Sequence, residues 1–280
     1  MHRILCSSGS LMENQEQIGF DFLIKGKEML RFGGFELLFC RNWYPHGREL
    51  IHVIRENDLF VPVFHCEKHI MQTVFQDHPL RQERTLDLFK RNCEIAAEIQ
   101  AKMLVLHLWN GKESDFFIEE QIKLLPQLIS MSKERGLLLT IENVACSKSD
   151  PLSRMMEIKK DFPQIAFTID TRMAAFHGQL DQMCQKSNRF LWEDNVKHVH
   201  LCDYKGGIKE WEKLFPTPLG KGQIDFEHFF EYLTQVNYEG DFTVESIAHL
   251  HDGTVDYKEL NRMHEYVRDS LSHEGKGGLQ

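Results

Sequence analysis

No Cys-x-x-Cys pair occurs in this chain of 280 residues. Its seven cysteines, Cys6, Cys40, Cys66, Cys93, Cys146, Cys184 and Cys202, stand far apart. That spacing excludes a zinc ribbon and a thioredoxin-type redox motif, and scattered thiols suit a reducing compartment. No apolar run approaches the roughly 18 residues that a membrane-spanning helix needs. The first residues turn polar at Ser7-Ser8-Gly9-Ser10 before a signal-type apolar core forms. A cytoplasmic protein without a membrane partner is therefore the expectation. Glycine and proline are scarce, at 18 and 8, which removes fibrous and low-complexity readings. Positive charge is not in excess either: 33 Lys and Arg face 42 Asp and Glu, a net −9. Such a balance repels phosphate backbones, so nucleic acid is not an expected partner. Neither G-x-G-x-x-G nor G-x-x-x-x-G-K-[ST] is present, and an open doubly wound nucleotide-binding sheet loses its main support.

What the chain does have is a rhythm. Short β-rich runs at 3–7, 35–39, 60–65, 103–108, 137–142, 165–170, 196–202 and 241–247 alternate with helix-like stretches. The runs recur at close to the roughly 31 residues per unit expected of a 250-residue (β/α)₈ barrel. Residues 83–100 show the helical component, with Leu86, Phe89, Cys93, Ala96 and Ile99 at mixed three- and four-residue steps. Asp225 can cap a helix running to about 235. Strands that alternate with helices pair in parallel, and eight such units favour closure. The expected fold is α/β, a single (β/α)₈ TIM barrel over residues 1–273 followed by a flexible tail at 274–280. The outer helices are compatible with a homo-oligomer, with no face singled out.

Four strands carry a finer pattern: Thr140-Ile141-Glu142, Thr168-Ile169-Asp170, His198-Val199-His200 and Thr243-Val244-Glu245. Side chains alternate faces with period two. The β-branched residues therefore face the outer helices, and each polar pair points into the barrel, ending in a residue able to bind a metal. His198, one layer lower, suits a core hydrogen bond. His65 and His107 end two further strands, and Asp203 follows the seventh. Active sites of such barrels lie at this end of the strands. Converging carboxylates repel one another, and a cation resolves the repulsion. Two Glu, one Asp and one His make a hard, oxygen-rich set that favours Mn²⁺ or Mg²⁺ and also accepts Co²⁺ or Zn²⁺. The expected cofactor is one divalent metal ion.

Beyond these strand ends, His65, His107, Trp109, Arg172 and Asp203 are the expected substrate contacts. Each has an ordinary structural counterpart: a satisfied core histidine, a solvated rim arginine, an aromatic gluing a loop, or a carboxylate orienting His200. The stretch 204–223, with Trp211, Phe215 and Pro218, is long for a connector and reads as a lid.

Longer motifs carry a resemblance. They are Leu139-Thr140-Ile141-Glu142-Asn143, Phe167-Thr168-Ile169-Asp170-Thr171, Lys197-His198-Val199-His200-Leu201-Cys202-Asp203, Pro218-Leu219-Gly220-Lys221-Gly222-Gln223-Ile224-Asp225-Phe226, Tyr238-Glu239-Gly240 and Val244-Glu245-Ser246. In order and spacing the chain resembles the xylose-isomerase-like barrels, among them sugar-phosphate isomerases and epimerases, ketose 3-epimerases, inosose dehydratases and endonuclease IV. The first half matches only through His65, His107 and Glu36. The resemblance implies that Glu142, Asp170, His200 and Glu245 ligate the ion and that Glu142 and Glu245 double as the acid–base pair. It implies a small carbohydrate substrate, a sugar or sugar phosphate, reacting through a metal-stabilised cis-enediolate. Epimerisation, aldose–ketose isomerisation and loss of a β-hydroxyl, as in an inosose or dehydroshikimate dehydratase, all remain open from that intermediate. Met173 stands where endonuclease IV-like members carry a further His, and Leu214-Phe215-Pro216 stands where they carry an Asp-x-His pair. Both departures weigh against a phosphodiesterase, and a complete ligand set weighs against a barrel that only binds.

Overall fold

Strands that all run the same way need a crossover between each pair, and here helices supply it. The computed structural model describes residues 2–14, 17–75, 80–112 and 114–273. The strands are β1 (Ile4–Ser7), β2 (Phe35–Leu38), β3 (Val63–His65), β4 (Met103–Leu106), β5 (Leu138–Glu142), β6 (Ala166–Asp170), β7 (Val196–Leu201) and β8 (Asp241–Val244). They pair in parallel in chain order, and β8 returns to β1 to close a TIM barrel. The expected tail at 274–280 lies outside the described residues. No helix among those described is long and apolar enough to cross a membrane.

All eight expected strands form, several of them shorter than the runs that announce them. The clearest case is 60–65, which becomes a strand only at Val63. Pro62 has no N–H for a ladder; it contributes its carbonyl, which accepts from the amides of Lys102 and Met103 at 2.8 and 3.2 Å. The helix cap at Asp225 is present as well: its carboxylate accepts from the His228 amide at 3.0 Å and opens the helix Phe226–Gln235.

The period-two alternation sorts the side chains as the sequence demands. Phe64, Leu104, Ile141, Phe167, Ile169, Val199, Phe242 and Val244 join the large apolar layer between the sheet and the helices. Inside the barrel, Leu5, Val63 and Val105 form a small separate apolar plug. Several of the remaining inward positions are polar and tied to one another: Thr140 Oγ1 lies 2.7 Å from Thr168 Oγ1, and His198 Nε2 lies 2.9 Å from Thr243 Oγ1. Two residues beyond each inward position, and so on the same face, comes the site: His65 after Val63, His107 after Val105, Glu142 after Thr140, Asp170 after Thr168, His200 after His198, Glu245 after Thr243. One irregularity interrupts the ladder. Phe167 pairs with Val196 and Thr168 already pairs with His198, so β7 carries one extra residue at this level before Asp170 meets His200.

Candidate metal centre

Glu142, Asp170, His200 and Glu245 each bring one ligand atom to within 4.8 Å of the others. All four are buried, Asp170 and His200 completely. His200 Nδ1 stands 3.2 Å from Glu245 Oε2 and 3.5 Å from Glu142 Oε1. The opposite ring nitrogen, Nε2, lies 3.0 and 3.1 Å from the two oxygens of Glu36. A carboxylate only accepts, so Nε2–H is the donor there. Nδ1 faces carboxylate oxygens, and both Nδ1 and Glu245 Oε2 are buried without a hydrogen-bond partner; a proton on Nδ1, or an ion that takes its place, supplies the charge this space needs. Such an arrangement calls for a positive charge between these atoms, and the oxygen-rich donor set fits a divalent ion.

The electrostatics agree. Burial opposes a charged His200, yet Glu36 and Glu142 outweigh it and hold the imidazole well above its ordinary pKa. Burial raises the Asp170 carboxyl; Arg172 pulls against that, and Glu142 and Glu245 raise it further. Without an ion, the cluster must hold protons to compensate for its charge.

A second group surrounds Glu142. Its Oε2 lies 2.8 Å from His107 Nε2 and 3.2 Å from His65 Nε2, and His65 Nδ1–H donates to the Cys66 carbonyl at 2.8 Å. Burial, against the pull of Glu142, lowers the His107 pKa to about 4, so this imidazole is neutral at pH 7. His65, His107 and Glu142 are themselves close enough to hold an ion. Arg172 is buried beside the cluster, with its guanidinium 3.3 Å from Asp170 Oδ2. Lys68, which sequence reasoning passed over, reaches in from the loop after β3 to lie 3.2 Å from Glu245 Oε1. Its only sequence signal is its position three residues past a strand-end histidine.

Two of the expected substrate contacts are engaged by the fold itself. Trp109 is fully buried and donates its indole N–H to the Val144 carbonyl at 2.7 Å, bracing the chain beyond β5. Asp203 accepts four backbone amides at 2.8–3.1 Å: Tyr204 and Ile224 on Oδ1, Gly220 and Gly222 on Oδ2. It thereby ties together the two ends of the 204–223 loop. Gly222 is required for this clasp, since a Cβ there would fall 2.1 Å from Asp203 Oδ1. Asp203→Asn keeps one acceptor oxygen and strands two amides, so a loss of about 3–5 kcal/mol is expected. Urea unfolding measures this loss, and metal stoichiometry in the folded variant should be unchanged; a stability equal to wild type would contradict the clasp. Two aromatics of this region act as glue: Phe176 is fully buried, and Trp211 packs edge-on against it at 4.8 Å.

With the fold and the site established, comparison with known proteins places them. An uncharacterized protein of Methanocaldococcus jannaschii is 24% identical over 157 residues, 55% of this chain, and the chain spans only 58% of that relative's length. A solved D-tagatose 3-epimerase-like protein superposes with a TM-score of 0.74 at 17% identity, covering 98% of both chains. The IolI protein, solved with a bound zinc atom, gives 0.72 at 12% identity, covering 97% of this chain and 98% of its own. These two likenesses establish the fold. The sequence model described as xylose isomerase-like TIM barrel matches residues 19–267, and the chain belongs to that family.

Proposed function

We propose that this protein is a divalent-metal-dependent isomerase or epimerase of a small carbohydrate, a sugar or a sugar phosphate. The observation that carries the reading is the convergence of Glu142 and Glu245 on one four-ligand cluster from strands three apart around the barrel. The epimerase named among the solved neighbours, and the zinc held by another, support the class and the metal.

The ion, when bound, supplies Lewis acidity to the substrate carbonyl and the neighbouring hydroxyl. The chain's own residues move the protons. One glutamate removes the proton α to the carbonyl and the other returns it. Return to the same carbon from the opposite face gives an epimer; return to the neighbouring carbon, with the hydroxyl proton passing to the former carbonyl oxygen, gives an isomer. The two carboxylates are differently held. Glu142 Oε2 accepts from His107 Nε2–H, with His65 Nε2 beside it, whereas Glu245 Oε2 has no hydrogen-bond partner and Lys68 touches only its Oε1. Glu245 is thus the freer acceptor, and Lys68 and Arg172 offset the negative charge that develops after α-proton removal. Glu142, Asp170 and His200 are almost fully buried, and the opening lies on the side of Glu245 and Lys68.

The test is proton exchange. Metal-loaded protein is incubated in D₂O with a panel of ketoses, aldoses, sugar phosphates and inososes, and deuterium at the carbon α to the carbonyl is read by NMR. Uptake, with about one metal ion per chain by elemental analysis, is the expected outcome. A loaded protein that exchanges no member of the panel would count against the reading.

A further inference from the structure

Glu36 lies on β2, level with Val63 and so two residues short of the His65 rim position. It is 1% exposed. It is absent from the four-residue cluster, yet both oxygens of its carboxylate are engaged. Both oxygens meet His200 Nε2, at 3.0 and 3.1 Å, and Oε2 also meets His198 Nε2 at 3.0 Å. His198 is steadied in turn by Thr243 Oγ1 at 2.9 Å. These contacts come from β2, β7 and β8, which stand next to or near one another around the closed sheet.

When an ion replaces the Nδ1 proton, an imidazole that donates from Nε2 presents the Nδ1 lone pair to that ion. In His200 that nitrogen is the one facing Glu142 and Glu245, and it is buried without a hydrogen-bond partner. We propose that Glu36 is a positioning residue for the metal ligand: it fixes the tautomer and ring rotation of His200, with His198 bracing Glu36 from the far side. The inference rests on the metal-dependent reading above. Glu36, His198 and His200 also lie close enough to hold an ion; with the Nε2–H of both imidazoles directed at its oxygens, Glu36 supports the four-residue set from outside it.

The test uses full-length apo protein titrated with Co²⁺ and followed by visible d–d absorption, for wild type, Glu36→Gln and Glu36→Leu. Partners of this kind are worth about 10–100-fold in metal affinity. Glu36→Leu should lose that much and shift the d–d bands. Glu36→Gln keeps one oxygen to accept from His200 Nε2–H and should recover part of the affinity. Thermal unfolding of the apo forms separates a folding defect from a binding defect, and ¹⁵N shifts of His200 in Zn²⁺-loaded protein report which ring nitrogen keeps its proton. Should Glu36→Leu fail to fold, Glu36→Gln decides: weaker Co²⁺ binding with altered His200 shifts supports the role. Wild-type affinity and spectrum in the folded variants would overturn it while leaving the metal reading intact. Wild type that takes up no Co²⁺ would instead overturn the metal reading, and this inference with it.

Discussion

Glu142→Gln is expected to lower α-proton exchange by at least about 10²–10⁴-fold, the range spanned by a lost acid–base group, with a further loss from weaker metal binding. The substitution is nearly isosteric, so the barrel should persist. Its chemical effect is not small. Oε2 of Glu142 meets His107 and His65 at once, and Oε1 faces His200. An amide replaces one of those acceptors with a donor and removes the charge that neighbouring imidazoles hold well below its ordinary pKa despite burial. Deuterium incorporation in D₂O, normalised to bound metal, measures the effect. A metal-loaded variant exchanging at the wild-type rate would remove Glu142 from the proton-transfer pair.

Stripping the metal with a chelator is expected to abolish exchange and to lower the melting temperature by about 10 °C. The sign follows from linkage: the four proposed ligands meet only in the folded barrel, so an ion held there would stabilise the folded state alone. At a thousand times its Kd an ion contributes about 4 kcal/mol, and in a chain of this size each kcal/mol moves Tm by about 2–4 °C. Added Mn²⁺ should restore both properties. Tm and exchange that stay unchanged after metal removal verified by elemental analysis would contradict the site.

Much of this centre is readable from the chain because it sits on strands. Where Thr-Ile-Glu, Thr-Ile-Asp, His-Val-His and Thr-Val-Glu recur, the period of two already states which residues face inward, and the barrel rule states at which end. The loops obey no such rule. Beyond its place three residues past His65, Lys68 gives no sign in sequence that it reaches Glu245, because a loop's course is decided by what it packs against. Asp203, one residue past the ligand strand by pattern, is claimed by four amides up to 21 residues further on. Trp109 has the right address for a substrate contact, but its bulk and indole N–H are used in the wall. Glu36 shows the same limit within the sheet: its partners lie 162 and 164 residues away, a distance that only barrel closure spans.

The extra residue in β7 makes that strand editable in one place and closed to change in another. A slip of one position inverts every later side chain of a strand. A length change in the connection entering β7 can be taken up where Phe167 and Thr168 meet Val196 and His198, before the first inward imidazole is placed. Beyond that point there is no slack, and a single deletion between His198 and His200 would turn one imidazole out among the helices. Natural variants of this chain should therefore tolerate insertions ahead of Lys197 and exclude them in the three residues from His198 to His200.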